Sequence, residues 1–338
     1  MKAWTLSAHG APERVLRIQQ HPRPLPGPGQ VRIKSEGFGL NYADVMAVRG
    51  LYREAPPLPS ILGYEVVGVV DELGEGVSEA LLGARVAALT RFGGYAEYAL
   101  TDHRALIIIP GGMPLGVAAA MTTQGCTAWY AARILCPLRT GERVLVHAAA
   151  GGVGQWLVQL ALRSGCEVFA IAGGREKVEH LRSLGVHHVI DRHAGDPRRL
   201  LRDRLEGSRL DISFNAVGGT SFRSDMRALG SAGRIVLYGG SQRTAAGPFG
   251  TLRFVWNMGV VVPIFLMMRS QSILGINMLR IAEHRPDLIA ECLAGIKATY
   301  DAGGIDVPVH RDLATERLPE ALNKLASGGT MGKVVVSW

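Results

Sequence analysis

The sequence predicts an α/β protein in which a doubly wound parallel sheet is joined to a smaller, mostly β domain. Three observations carry this. At roughly 150 residues per domain, 338 residues make about two domains with full cores. The first 110 residues or so are dense in glycine and proline around short apolar runs. From about residue 143, nearly all-apolar runs alternate with helical patterns, as strands buried on both faces of a parallel sheet do.

In chain order, the runs QVRIK (30–34), VVGVVDE (66–72) and RVAAL (85–89) read as short strands with tight turns, and Pro22, Pro24, Pro26 and Pro28 as an extended arm. Val117 to Leu135 is alanine-rich and suits a helix, which Pro137 and Gly141 end. Next come RVLVHA (143–148), a helix over 152–164, EVFAIA (167–172), a helix over 175–184 and HHVID (187–191). A charged helical stretch (197–205), DISFNAV (211–217), a helix near 221–229 and RIVLYGG (234–240) complete the alternation. The tail from Ser272 ends in KVVVS (333–337) and is expected to complete the first domain, giving 1–115 with 271–338 and 116–270 as the two domains.

Lys and Arg total 37 against 29 Asp and Glu, a net charge of +8, with 47% hydrophobic and 20% charged residues, a globular balance that excludes intrinsic disorder for most of the chain. Only Lys2, Lys34, Lys177, Lys297, Lys324 and Lys333 are lysine, so the positive charge is spread over arginines, and nucleic-acid binding is not expected. Cys126, Cys136, Cys166 and Cys292 have neither disulfide-framework nor zinc spacing, and no metal is expected. The N-terminal residues carry no apolar core of signal length, so the cytoplasm is the expected location. The run Phe254 to Met268 contains Asn257, Gly259 and Pro263 and is too short to span a bilayer. A cleft wall or an interface is expected there, and membrane contact is not.

Directly after RVLVHA, Ala148, Gly151, Gly152, Val153 and Gly154 form AxxGxxG, a variant of the dinucleotide fingerprint. Small residues there let the backbone approach a pyrophosphate at a helix N-terminus, and strand, turn, helix and second strand follow in the order this requires. At the end of the second strand, where an NAD site offers a carboxylate to the ribose 2′-hydroxyl, this chain has Gly173 and Gly174 followed by Arg175 and Lys177. That charge arrangement favours NADP, with Glu176 expected to point to solvent from the first helical turn.

Asn41-Tyr42-Ala43-Asp44, Gly50-Leu51-Tyr52, Gly63-Tyr64-Glu65, the AAAGGVG turn and the closing GKVVV together resemble the medium-chain dehydrogenase/reductase superfamily along essentially the whole chain. Within it, the zinc-free quinone oxidoreductase branch is similar, and NYADVMAVRGLY with VLVHAAAGGVG resembles its vesicle amine transport protein homologues. The resemblance implies a Rossmann NADP-binding domain and a GroES-like, mostly β catalytic domain. Zinc-dependent members carry ligands where this chain has Asn41, Tyr64 and a residue near Thr123, and a structural zinc lobe where it runs from Thr90 to Tyr98. None of those ligands is present.

Carried over by the resemblance, Asn41 and Tyr52 are candidates to contact substrate or cofactor. Asn41 would donate to a developing enolate or quinol oxygen, and Tyr64 would give a proton or shape the pocket. Some quinone reductases have a tyrosine at the position of Met46. Further cofactor contacts implied are Thr127, Asn215 with Gly218, Tyr238, Gly239 and Gly240, with Arg192 beside the adenosine phosphate. Lys333 is expected to face the cofactor or the surface. The strand Ser272 to Asn277 is expected to pair across a twofold axis in a homodimer. These readings add up to a zinc-independent, NADPH-dependent reductase passing hydride to a hydrophobic quinone or α,β-unsaturated carbonyl, an enone or enoyl compound. The alternatives are a biosynthetic enoyl reductase and a weakly catalytic nucleotide-binding protein that transfers lipid or sits at a membrane.

Overall fold

The computed structural model describes residues 1–243, 248–307 and 309–338. The chain divides into two compact units, Met1–Cys126 with Met278–Trp338, and Thr127–Asn277.

The first unit is mostly β. Lys2–Leu6 lies between Leu16–Gln20 and Ser60–Ile61 in a three-stranded sheet. In a larger mixed sheet the strands run in the order Val309–Ala314, Lys333–Ser337, Gln30–Leu40, Glu65–Leu73, Arg85–Leu89 and Leu106–Ile108, with Tyr98–Asp102 also paired to Gln30–Leu40. Alternate residues such as Val31, Ile33, Val66, Val70 and Val86 fill one core, and Leu6, Phe38, Leu40, Tyr95 and Leu322 fill another.

The second unit is the doubly wound sheet. Its strands are β1 (Arg143–Val146), β2 (Glu167–Ala172), β3 (His188–Asp191), β4 (Leu210–Asn215), β5 (Leu229–Leu237) and β6 (Ser272–Gly275), in the order β3-β2-β1-β4-β5-β6, all parallel. Order reverses between β1 and β4, the switch point at which such sheets bind dinucleotides. Val144, Leu145 and Val146 have no exposed surface, as a central strand covered on both faces requires.

Three expectations change, and the first is the boundary expected at 115/116, which falls between Cys126 and Thr127. The boundary expected at 271 falls one strand early: Ser272–Gly275 extends the parallel sheet by pairing with β5 from Arg234↔Ser272 to Leu237↔Gly275, and the unit ends at Asn277. As a half-exposed edge strand it lacks the continuous apolar pattern of its neighbours. The alanine-rich stretch is helical in four pieces, Leu115–Ala120, Met121–Gly125, Cys126–Trp129 and Tyr130–Leu135, the second and fourth with wider π-type turns. Thr122 leaves helical geometry (ψ −107°) where its hydroxyl and the next amide turn to a buried carboxylate, described below.

The apolar run forms two helices, Pro248–Met258 and Pro263–Arg269, separated by 259–262. Residues Phe249–Arg269 are together long and apolar enough to cross a membrane by length and composition, and none of this stretch is buried. Trp256 is 77% and Val260 92% exposed.

Candidate active site

In the first unit a polar cluster sits wholly inside the protein. Lys333 and Glu65 pair with no exposed surface on either side chain. They belong to strands flanking Gln30–Leu40 and meet over Gly39, where a Cβ would lie 2.1 Å from Glu65 Oε1 and 2.2 Å from Lys333 Cε. Only glycine leaves room for the pair. Asn41 completes it: its Nδ2 donates to Glu65 Oε1 (3.2 Å) and its Oδ1 accepts from Lys333 Nζ (3.3 Å). Glu65 Oε2 accepts from Thr122 Oγ1 (2.6 Å) and from the Thr123 amide (3.0 Å). Burial lowers the Lys333 pKa, and the Glu65 charge opposes that.

Asn41 is also the N-cap of the helix Tyr42–Val48, and its amide donates to Asp44 Oδ2 at 2.7 Å. Asp44 is fully buried, and burial pushes its carboxyl up to about 7, with the Glu65 charge adding to the rise against the Asn41 amide and Lys333. The hydroxyl of Tyr95 faces the Asp44 carboxyl, and that of Tyr64 is buried without a hydrogen-bond partner. Tyr64 packs edge-on against half-buried Tyr52 (centroids 6.0 Å apart) and against Phe92 (5.2 Å). Burial raises the Tyr64 pKa and pushes Tyr52 up to about 12, so both phenols keep their protons at neutral pH. The structure thus brings Asn41, Tyr52 and Tyr64 into one region. Lys333 is neither at the surface nor facing outward; its ammonium is spent on Glu65 and Asn41, so it is withdrawn as a cofactor contact.

In the second unit β1 runs into the glycine-rich turn. Exposed Ala148 takes φ +49°, a conformation costly for a residue with a Cβ. Helix α1 (Gly152–Arg163) begins after Gly151, with no side chain capping its first amides. A Cβ on Gly154 would lie 2.4 Å from the Ala148 carbonyl oxygen, so helix and turn pack at a distance only glycine permits. Uncapped amides and a positive helix end fit a diphosphate.

At the end of β2, Gly174 (φ +96°) caps helix α2 (Arg175–Ser183). Arg192 lies over Gly173, where a Cβ would be 2.4 Å from its Nε. Lys177 is half-buried, and its pKa is lowered by burial and then by the repulsion of Arg192. Two cations whose charges repel one another, beside two glycines, suit a phosphate. Arg175 is instead turned along its helix to Glu179 at 2.6 Å, with its side chain 91% exposed, and Glu176 is exposed as expected.

Asn215 lies at the end of β4 with no exposed surface, so it shapes its turn from within rather than offering its side chain outward. Its Oδ1 accepts from the amides of Val217 (2.9 Å) and Gly218 (2.8 Å). Tyr238 donates to the His147 carbonyl (3.4 Å), Gly239 and Gly240 follow it, and Thr127 is buried on the helix Cys126–Trp129. Sequence reasoning missed Glu65, Thr122, His147, Ser213 and Asp225. Glu65, Thr122 and His147 work through partners 57 or more positions away, and Ser213 and Asp225 through each other between a strand and a helix, so no local motif marks them.

An alcohol dehydrogenase GroES-like domain matches residues 27–111, and a zinc-binding dehydrogenase domain matches residues 152–294. The human synaptic vesicle membrane protein VAT-1 homolog is 32% identical over 99% of this chain and 86% of its own length. The chain belongs to the medium-chain dehydrogenase/reductase superfamily. Three solved members of similar structure are a mycobacterial protein in complex with NADPH (28% identity, all of both chains, TM-score 0.87), a Pseudomonas syringae quinone oxidoreductase (26%, 100% and 99%, 0.87) and the CurK enoyl reductase (26%, 99% and 98%, 0.85). Although one domain description names zinc, this chain has Asn41, Tyr64 and a residue near Thr123 where the resemblance implies ligands. Among its described residues no three His, Cys, Asp or Glu side chains are placed to hold a metal. The residues present do not fit zinc.

Proposed function

We propose that the chain is an NADPH-dependent, zinc-independent reductase of conjugated carbonyl compounds, quinones or enones. The observation that carries this is the pairing of the uncapped α1 N-terminus, packed tightly through Gly154, with the Lys177–Arg192 cation pair beside Gly173 and Gly174. The NADPH complex of the mycobacterial relative supports the same cofactor. Bound NADPH supplies hydride to an electron-poor carbon.

In this reading, amides 152–154 hold the diphosphate, while Lys177 and Arg192 hold the 2′-phosphate. The second Nδ2 hydrogen of Asn41 donates to the oxygen on which negative charge develops. Neutral Tyr52 and Tyr64 donate hydrogen bonds from the same region and exclude water with Phe92. Net addition of hydride and a proton gives the saturated ketone or the hydroquinone. NADPH oxidation followed against a panel of quinones and enones tests this. Turnover with at least one conjugated acceptor and none with simple ketones is expected, and no oxidation with any conjugated acceptor overturns it.

A second reading rests on the exposed helices. From Met226 to Ala282 the sequence has no Asp or Glu, and the exposed Arg253 and Arg269 lie on the same two helices as the apolar side chains Trp256 and Phe265. Arginines beside exposed apolar side chains favour peripheral contact with an anionic membrane. Co-sedimentation with anionic vesicles at low salt is expected, and its absence removes this reading. The exposed edge of β6 supports the homodimer, which light scattering would report as twice the chain mass.

A further inference from the structure

The switch point of the sheet is bridged by one buried carboxylate that the proposed reaction leaves without a role. Asp225, on helix α3 (Thr220–Ala228), is 1% exposed. From β1 and the start of the glycine-rich turn, His147 Nε2 donates to its two oxygens at 2.9 and 3.1 Å. From β4, Ser213 Oγ (2.7 Å) and Asn215 Nδ2 (2.6 Å) donate to its Oδ2. Every donor is buried, so each hydrogen bond lost would leave an unsatisfied group inside the protein.

The two arms lead to two different turns. His147 immediately precedes Ala148, whose left-handed backbone opens the diphosphate turn. Asn215, held at its Nδ2 by Asp225, points its Oδ1 at the amides of Val217 and Gly218 and so sets the turn at the end of β4. In a sheet of this order the halves on either side of the β1/β4 switch take the two nucleotides of one dinucleotide. Thus a single carboxylate touches both halves of the site and neither ligand.

We propose that Asp225 is a positioning residue that locks the β1 turn and the β4 turn in register, so that both halves of NADPH are received by one rigid site. This rests on the NADPH reading above. Loss of Asp225 should therefore weaken a ligand that spans both turns far more than one that occupies the adenosine side alone.

Calorimetric titration of NADPH and of 2′,5′-ADP into wild-type, Asp225→Ala and Asp225→Asn protein tests this, with near-UV circular dichroism reporting the fold. In Asp225→Ala the NADPH Kd is expected to rise about tenfold or more while that of 2′,5′-ADP stays within about threefold. Asp225→Asn, which keeps one acceptor oxygen, should recover part of the loss. Should Asp225→Ala fail to fold, Asn215→Ala breaks the same chain of bonds from its far end and should show the same split. An unchanged NADPH Kd in the folded variants, or equal weakening of both ligands, would overturn the inference. Wild-type protein that binds no NADPH would instead overturn the functional reading, so the two failures are distinct.

Discussion

Lys333 and Glu65, 268 positions apart in sequence, form an ion pair inside the first unit with no solvent-exposed surface on either side chain. Charges so placed are held by their mutual hydrogen bonds, and removing one leaves the other stranded. Lys333→Met is therefore expected to lower unfolding free energy by about 3–5 kcal/mol in urea titrations. A loss below about 1 kcal/mol, the range of a surface pair, would contradict the buried placement.

Asp44 sets a pH dependence of stability. Its carboxyl ionises near 3.8 in the unfolded chain and is pushed up to about 7 in the native protein by burial, with Glu65 opposing ionisation and Lys333 and Tyr95 favouring it. The native state thus binds more protons than the unfolded state between those values. Stability contributed by the protonated carboxyl is full at low pH and lost as pH rises from about 4 to about 7, by at most roughly 4 kcal/mol. Asp44→Asn should flatten that segment of a urea-denaturation pH series, and a variant that keeps the wild-type slope would show that another group is responsible.

Gly154 has no room for a side chain against the Ala148 carbonyl oxygen. Gly154→Ala should displace the first turn of α1, weakening NADPH about tenfold or more while costing about 1–3 kcal/mol of stability. Fluorescence titration of NADPH measures this, and undiminished binding would remove the turn from the site.

Arg192 and Lys177 bear on the choice between cofactors. Arg192→Ala removes one of the two cations proposed to hold the 2′-phosphate, and charge-assisted hydrogen bonds are worth about 1.5–3 kcal/mol each. The Kd for NADPH should rise about tenfold or more while that for NADH is unchanged. Equal effects on both would point to a structural role for Arg192.

The parallel sheet was legible because buried strands such as RVLV and EVFAIA are apolar almost without break and alternate with amphipathic helices. Ser272–Gly275 escaped the same reading because an edge strand is only half buried and has no such pattern. The glycine-rich turn was visible as a local motif, and Tyr52 and Tyr64 as separate positions carried over by the family resemblance, whereas their ring contact was not. Lys333 was not, since a lysine opening a strand normally faces water, and only Gly39, on a strand far away in sequence, makes space for it beside Glu65. Asn215 drew attention for its position at a strand end, but the inward turn of its side chain depends on Asp225, which nothing in its own helix distinguishes. The stretch 254–268 was expected to be too short to span a bilayer; with its flanks the apolar stretch reaches 21 residues and lies entirely at the surface.

Calorimetric titration of the unaltered protein with NADPH and with NADH tests the central claim most directly. Saturable binding of NADPH at least about tenfold tighter than NADH is the expected result. The absence of heat with either nucleotide, or a tenfold preference for NADH, would contradict it.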